Sequence, residues 1–186
     1  MDRFMIHLKN QGYVPADAPM LLSKADKLTS GMNTIIRDTR VSSKYLEFDV
    51  SVDKTQLGTL VEKLEPIGLL DHARHIIEEK IEKEEAMHIT KDYFNNERFW
   101  ECHEVLEGVW KQTYKDEKDL IQGIILVAAA LVHYQKNESD ICLSILKRAM
   151  EKLPSASGKY YDIDVDLFRK KVSDMITSKK IGAFTI

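Results

Sequence analysis

In the stretch FWECHEVLEGVW, Phe99 to Trp110, a histidine and a glutamate stand four residues apart among apolar neighbours. Residues four apart on a helix are neighbours on one face, so His103 and Glu107 can touch, and Trp110 follows one turn further along. A histidine and a carboxylate at that spacing can share a divalent transition metal, as half of a zinc-type site that takes three or four protein ligands. They can also act as acid and base, or as a buried hydrogen-bonded clasp that fixes helix register without chemistry. The spacing is not the His-Glu-x-x-His of zinc proteases, because Glu107 stands where the second histidine would be. It is not the Glu-x-x-His of di-iron bundles either, because His103, Glu104 and Glu107 come in the wrong order. Cys102 points about 100° away from His103 and is a poor nucleophile for it.

Phe99, His103, Leu106, Glu107 and Trp110 fall within one arc, while Val105, Gly108 and Val109 cover the back of the helix. A helix apolar on most sides is a central one, so His103 and Glu107 are expected to be buried or on the floor of a cleft. A buried carboxylate needs a partner. Besides His103, the next apolar run, DLIQGIILVAAALVHY, offers Gln122 and His133. These two share a face but lie roughly 16 Å apart along the axis, so only one can reach the same spot. Gly123 beside Gln122 lets a neighbouring element approach closely. Trp100 and Glu104 flank the motif, and Glu104 is the nearby base if the pair holds a metal. His88 and Asp92 are further ligand candidates.

The segment from about His88 to Leu153, through YFNNERFWECHEVLEGVW and LIQGIILVAAALVHY, resembles the family called domain of unknown function 309. That family is marked by His-x-x-x-Glu-x-x-Trp/Tyr, here His103, Glu107 and Trp110. The resemblance implies an all-helical array with this motif as a metal-binding candidate, and it brings no established activity. Asn96 stands where many members have glycine in the turn, a mild departure because asparagine tolerates the left-handed conformation. The resemblance covers about a third of the chain and is silent on residues 1–80.

The elements that must position these residues fall into two halves. In the first, RFMIHLK alternates at strand spacing, with Phe4, Ile6 and Leu8 on one face and Met5 and His7 on the other. DAPMLLSKADKL reads as a helix capped by Asp17, and NTIIRDTRV with YLEFDVSV as a hairpin. Asp53 with Gln56 opens a second helix, and Leu69 to Ile76 reads as a fourth strand. The order β-α-β-β-α-β is that of a ferredoxin-like unit, expected over residues 1–78. Residues 79–186 lose the two-residue period. A charged run, EEKIEKEE, leads into helices near 98–113, 117–135, 139–153 and 164–178, with LPSASGKYYD as a loop. The fold class is therefore α+β, a ferredoxin-like βαββαβ unit followed by an all-α helical array or bundle.

Composition narrows the function. The 186 residues are 44% hydrophobic and 31% charged, too apolar for disorder, and the net charge of -3 lacks the footprint of a dedicated nucleic-acid binder. Two cysteines, Cys102 and Cys142, form neither a disulfide framework nor a zinc ribbon, and suit a reducing cytoplasm. The most apolar segment, Ile124–Val132, is shorter than the roughly 20 residues a membrane span takes. The leading expectation is a cytoplasmic binding protein with a ligand or partner cleft lined by Trp100, His103, Glu107 and Trp110. A metal-dependent hydrolase on His103 and Glu107 is the alternative. A third reading binds RNA through the first sheet, with Arg37, Arg40, Lys44 and Tyr45 as its basic and aromatic surface. The ligand, the partner and the oligomeric state stay open.

Overall fold

The computed structural model describes residues 1–77, 81–153 and 157–186. They group into two compact units, Met1–Glu79 with Gln135–Asn137, and Lys80–Tyr134 with Glu138–Ile186. The expected boundary between residues 78 and 79, and the Glu78–Lys80 part of the charged run, lie outside the described residues.

The first unit alternates strands and helices: β1 (Asp2–Lys9), α1 (Ala18–Leu28), β2 (Thr34–Val41), β3 (Tyr45–Val52), α2 (Leu57–Leu64) and β4 (Leu70–His75). The strands form one antiparallel sheet in the order β2-β3-β1-β4. Side chains two apart share a face of a strand. Phe4, Ile6 and Leu8 of β1 and Leu46, Phe48, Val50 and Val52 of β3 thus make one apolar layer, closed by Leu21 and Ala25 of α1 and Leu60 and Leu64 of α2. The opposite face carries Arg3, Met5, His7, Tyr45, Glu47 and Asp49. Gly68 precedes β4 because a Cβ there would sit 2.8 Å from the Lys9 carbonyl oxygen. Asp17 holds the N-cap position of α1 as expected, but its side chain makes no cap bond to that helix. Its carboxylate accepts from the Val14 N–H at 2.9 Å and closes a single 3-10 turn, Pro15–Asp17, ahead of the helix. Asp53 accepts from the Thr55 N–H at 2.9 Å and starts the turn that leads into α2.

The second unit contains α3 (Lys83–Asn95), α4 (Phe99–Trp110), α5 (Lys115–Gln135), α6 (Ser139–Lys152) and α7 (Val165–Ser178). Its core is formed by Phe94, Phe99, Cys102, Leu106, Ile121, Ile124, Ala128, Leu131, Cys142, Leu146, Phe168 and Val172. At Gly123, where close helix approach was expected, the neighbour is a side chain: a Cβ there would meet Leu153 Cδ2 at 2.5 Å. Two expectations are corrected. The left-handed residue of the α3–α4 turn is Glu97 (φ 58°), while Asn96 keeps φ -97° and its amide donates to the Asp92 carbonyl at 2.9 Å. The loop GKYYD contains a small hairpin, β5 (Lys159–Tyr160) paired with β6 (Ile163–Asp164), so this unit is not purely helical. Its two turn residues, Tyr161 and Asp162, both take positive φ, the conformation a two-residue hairpin turn asks for and one that sequences usually announce with glycine or asparagine. Among the described residues no helix is long and apolar enough to cross a membrane.

Candidate functional site

On α4, Phe99, Cys102, Leu106 and Val109 are at most 2% exposed and recur at three- and four-residue spacing, which defines the side that faces the core. At about 100° per residue, Trp100, Glu104 and Glu107 fall on the other side, while His103 and Trp110 lie at the edge of the buried stripe. The expected burial of the motif is therefore overturned. The Glu104 and Glu107 side chains are 50% and 49% exposed, and that of His103 is 26% exposed. The sequence pattern misled because Phe99 and Leu106 flank His103 at both three- and four-residue intervals. The stripe could be drawn through either side until packing chose Cys102 and Val109.

His103 stands between two carboxylates. Its Nδ1 lies 3.4 Å from Glu104 Oε1 and its Nε2 3.6 Å from Glu107 Oε1. These are ion-pair distances, longer than a hydrogen bond. An imidazole offers one nitrogen to one ion, so Glu104 and Glu107 cannot both join His103 on the same metal. The Nε2–Glu107 pair fits the two-ligand half of a site. Among the described residues, no cluster of three or more histidine, cysteine, aspartate or glutamate ligand atoms includes His103 or Glu107. Trp110, one turn on, is half-buried against the core, and its buried indole N–H meets no hydrogen-bond acceptor among the described residues. The Lys118 ammonium lies 4.0 Å from the Trp110 ring centroid.

The remaining candidates are placed elsewhere. His133 Nδ1 pairs with Glu138 Oε2 at 2.5 Å, a local contact across the end of α5. Gln122 and Trp100 are half-buried, His88 is exposed, and Asp92 accepts from Asn96 at 3.1 Å.

Three polar groupings were missed in the sequence reading. At the start of α4, Glu101 is fully buried and takes two bonds of 2.5 Å from Arg98, whose guanidinium lies 4.4 Å from the Tyr93 ring centroid. The three-residue Arg–Glu spacing was the available signal. In the first unit, His7 Nε2 lies 2.9 Å from Glu47 Oε2, and Glu47 also accepts from Arg40 Nε. Arg40 is 2% exposed, so it does not offer the basic surface that the RNA reading expected of it. The His7 ring stacks on His72 with centroids 4.2 Å apart, and Arg3 makes two bonds, of 2.9 and 2.6 Å, to Asp49. In the second unit, Glu117 accepts from Lys83 and, at 2.8 Å, from the Tyr160 hydroxyl, beside a cavity of about 470 Å³. The bond from Lys83 holds the Glu117 carboxyl below the usual carboxylate range, with the Tyr160 bond adding to it. Burial first, and then the bond to Glu117, pushes the Tyr160 hydroxyl well up.

Residues 90–145 match the family model described as Domain of unknown function (DUF309). A crystal structure of a conserved hypothetical protein from Thermus thermophilus is similar to this chain at 25% identity, over 49% of this chain and 95% of that one, with a TM-score of 0.44. No curated protein matches the chain.

Proposed function

We propose, from the premise that residues 90–145 are a domain of the DUF309 family, that the protein is a binding protein whose working surface is the outward face of α4. On this reading His103 and Glu107 hold a divalent transition metal in an open half-site, and the ligand or partner supplies the remaining donors. One observation carries the reading. His103 and Glu107 stand on the more exposed side of α4 with the imidazole 3.6 Å from the carboxylate, beside Trp110, which is half-buried against the core. A hydrolase built on the same pair would need a third ligand from substrate or partner.

The first unit is proposed to be ferredoxin-like. Support comes from its β-α-β-β-α-β order and from α1 and α2 each linking two strands that flank a third in the order β2-β3-β1-β4. The buried free thiols of Cys102 and Cys142 support a cytoplasmic setting, where thiols stay reduced.

Titration of the full chain with zinc and with manganese, followed through tryptophan emission, tests the metal reading. The expected result is a saturable change that His103→Ala abolishes without altering the thermal midpoint. If emission does not respond to either ion, or responds equally in His103→Ala, the metal reading fails.

A further inference from the structure

α7 ends at Ser178, and Lys179 takes the left-handed conformation with φ 57°, which turns the chain out of the helix. Residues 180–186, KIGAFTI, then run in neither helix nor strand. They are nevertheless held to the helical unit. The Phe184 ring packs edge-on against Phe94 at 5.1 Å between centroids and lies 5.7 Å from Phe168, while Ile181 and Ile186 rest on the same core. Phe94 and Phe168 are 0% and 2% exposed beneath it. Two residues beyond the ring, the Ile186 N–H donates to Asn95 Oδ1 at 2.8 Å, and Asn95 Nδ2 donates to the Ile186 carbonyl at 3.2 Å. One side-chain amide thus pairs with both polar groups of one backbone residue, as a neighbouring strand would. Such pairing recognises an extended backbone whatever its sequence, while the aromatic pocket selects the side chain two residues before.

We propose that Asn95, Phe94 and Phe168 form a recognition groove for an extended peptide segment of the pattern Phe-x-aliphatic, and that residues 180–186 fill this groove in cis and compete with an outside segment. The occupant is a peptide of that chemistry because the chain itself shows the fit: an aromatic ring in the pocket, an open backbone pair at the second residue beyond it, and an exposed Thr185 between them. Among the described residues, one ring, two isoleucines and one amide hold the segment, without a strand ladder.

The test uses the full chain carrying Phe184→Ala and a fluorescein-labelled KIGAFTI peptide, read by anisotropy. The variant is expected to bind the peptide, and the wild type to bind it about ten- to a hundredfold more weakly, the weight of one buried phenyl ring. Adding Asn95→Ala to the variant is expected to weaken binding again. A Phe184→Ala chain with native helical content that does not bind the peptide would overturn the proposal, as would equal binding by the wild type. A second measurement needs no variant. In the wild type, millimolar unlabelled KIGAFTI is expected to speed amide exchange at Ile186, and unchanged exchange counts against the groove. A wild-type dimer in size exclusion that Phe184→Ala converts to monomer, with the peptide excluded from both, would replace the peptide by a second copy of this chain and also overturn the proposal.

Discussion

A histidine faces a glutamate in both units, and the two pairs have opposite characters. His7 and Glu47 lie 40 residues apart in sequence, yet they are direct partners in the β1–β3 register, 2.9 Å apart and at most 5% exposed. His103 and Glu107 are one helical turn apart, 3.6 Å from each other, with the glutamate half exposed. Proximity in sequence made the second pair conspicuous, but proximity carries no burial. In the sheet, Glu47 takes Arg40 as well, so removing the carboxylate takes from a buried guanidinium the acceptor of its Nε and leaves it Asp38 at 3.4 Å. On the helix, water solvates whatever is left. The same two residue types serve structure in one place and are free to serve binding in the other. Dielectric setting, not residue identity, decides which.

The largest expected effect comes from the sheet. Glu47→Leu takes the buried carboxylate from both His7 and Arg40, leaving Arg40 with Asp38 at 3.4 Å, and breaking a buried pair by removing one partner costs about 3–5 kcal/mol. Denaturant unfolding should show a loss of that order. A loss below about 1 kcal/mol would end the contrast with the helix.

Glu117 lies between the two extremes, with its side chain 34% exposed and both Lys83 and Tyr160 bound to it. Glu117→Gln should cost on the order of 1 kcal/mol at neutral pH. The carboxyl is depressed in the folded state, so its contribution is present above its ordinary value of 4.5 and fades as pH falls through the lower folded value. Wild type and Glu117→Gln should therefore converge in stability on acidification below that point. Curves that stay parallel down to pH 2 would show that the carboxylate contributes nothing there.

The smallest effect is expected on α4. His103→Leu and Glu107→Leu should each shift stability by under about 0.5 kcal/mol, and the double variant should equal their sum. A coupling above about 1 kcal/mol in that double-mutant cycle would restore the clasp reading and weaken the case for a binding surface.

Much of the architecture was legible because it rests on local periodicity. The alternation Leu46, Phe48, Val50, Val52 marked β3, and apolar spacing marked α5 and α6 to within about two residues of their ends. Where a turn broke its usual chemistry, reading failed. Tyr161 and Asp162 turn a hairpin without glycine or asparagine, and Glu97 rather than Asn96 takes the left-handed position. Asp17 stands at the N-cap position of α1, but its carboxylate bonds back to the turn before the helix.

For the candidate site, the sequence by itself determined which side chains α4 carries and that His103, Glu107 and Trp110 lie close together on it, because helical geometry fixes that spacing. It also determined the β-α-β-β-α-β order, since strand and helix periods differ. Only the tertiary structure decided which arc of α4 meets the core, because two apolar stripes satisfied the same pattern and packing against α3 and the rest of the core selected one. Tertiary structure alone joined Glu47 to His7 and Arg40, and Ile186 to Asn95, 91 residues away. Contacts between distant parts of the chain are set by strand register and close packing, and no spacing in the sequence encodes either.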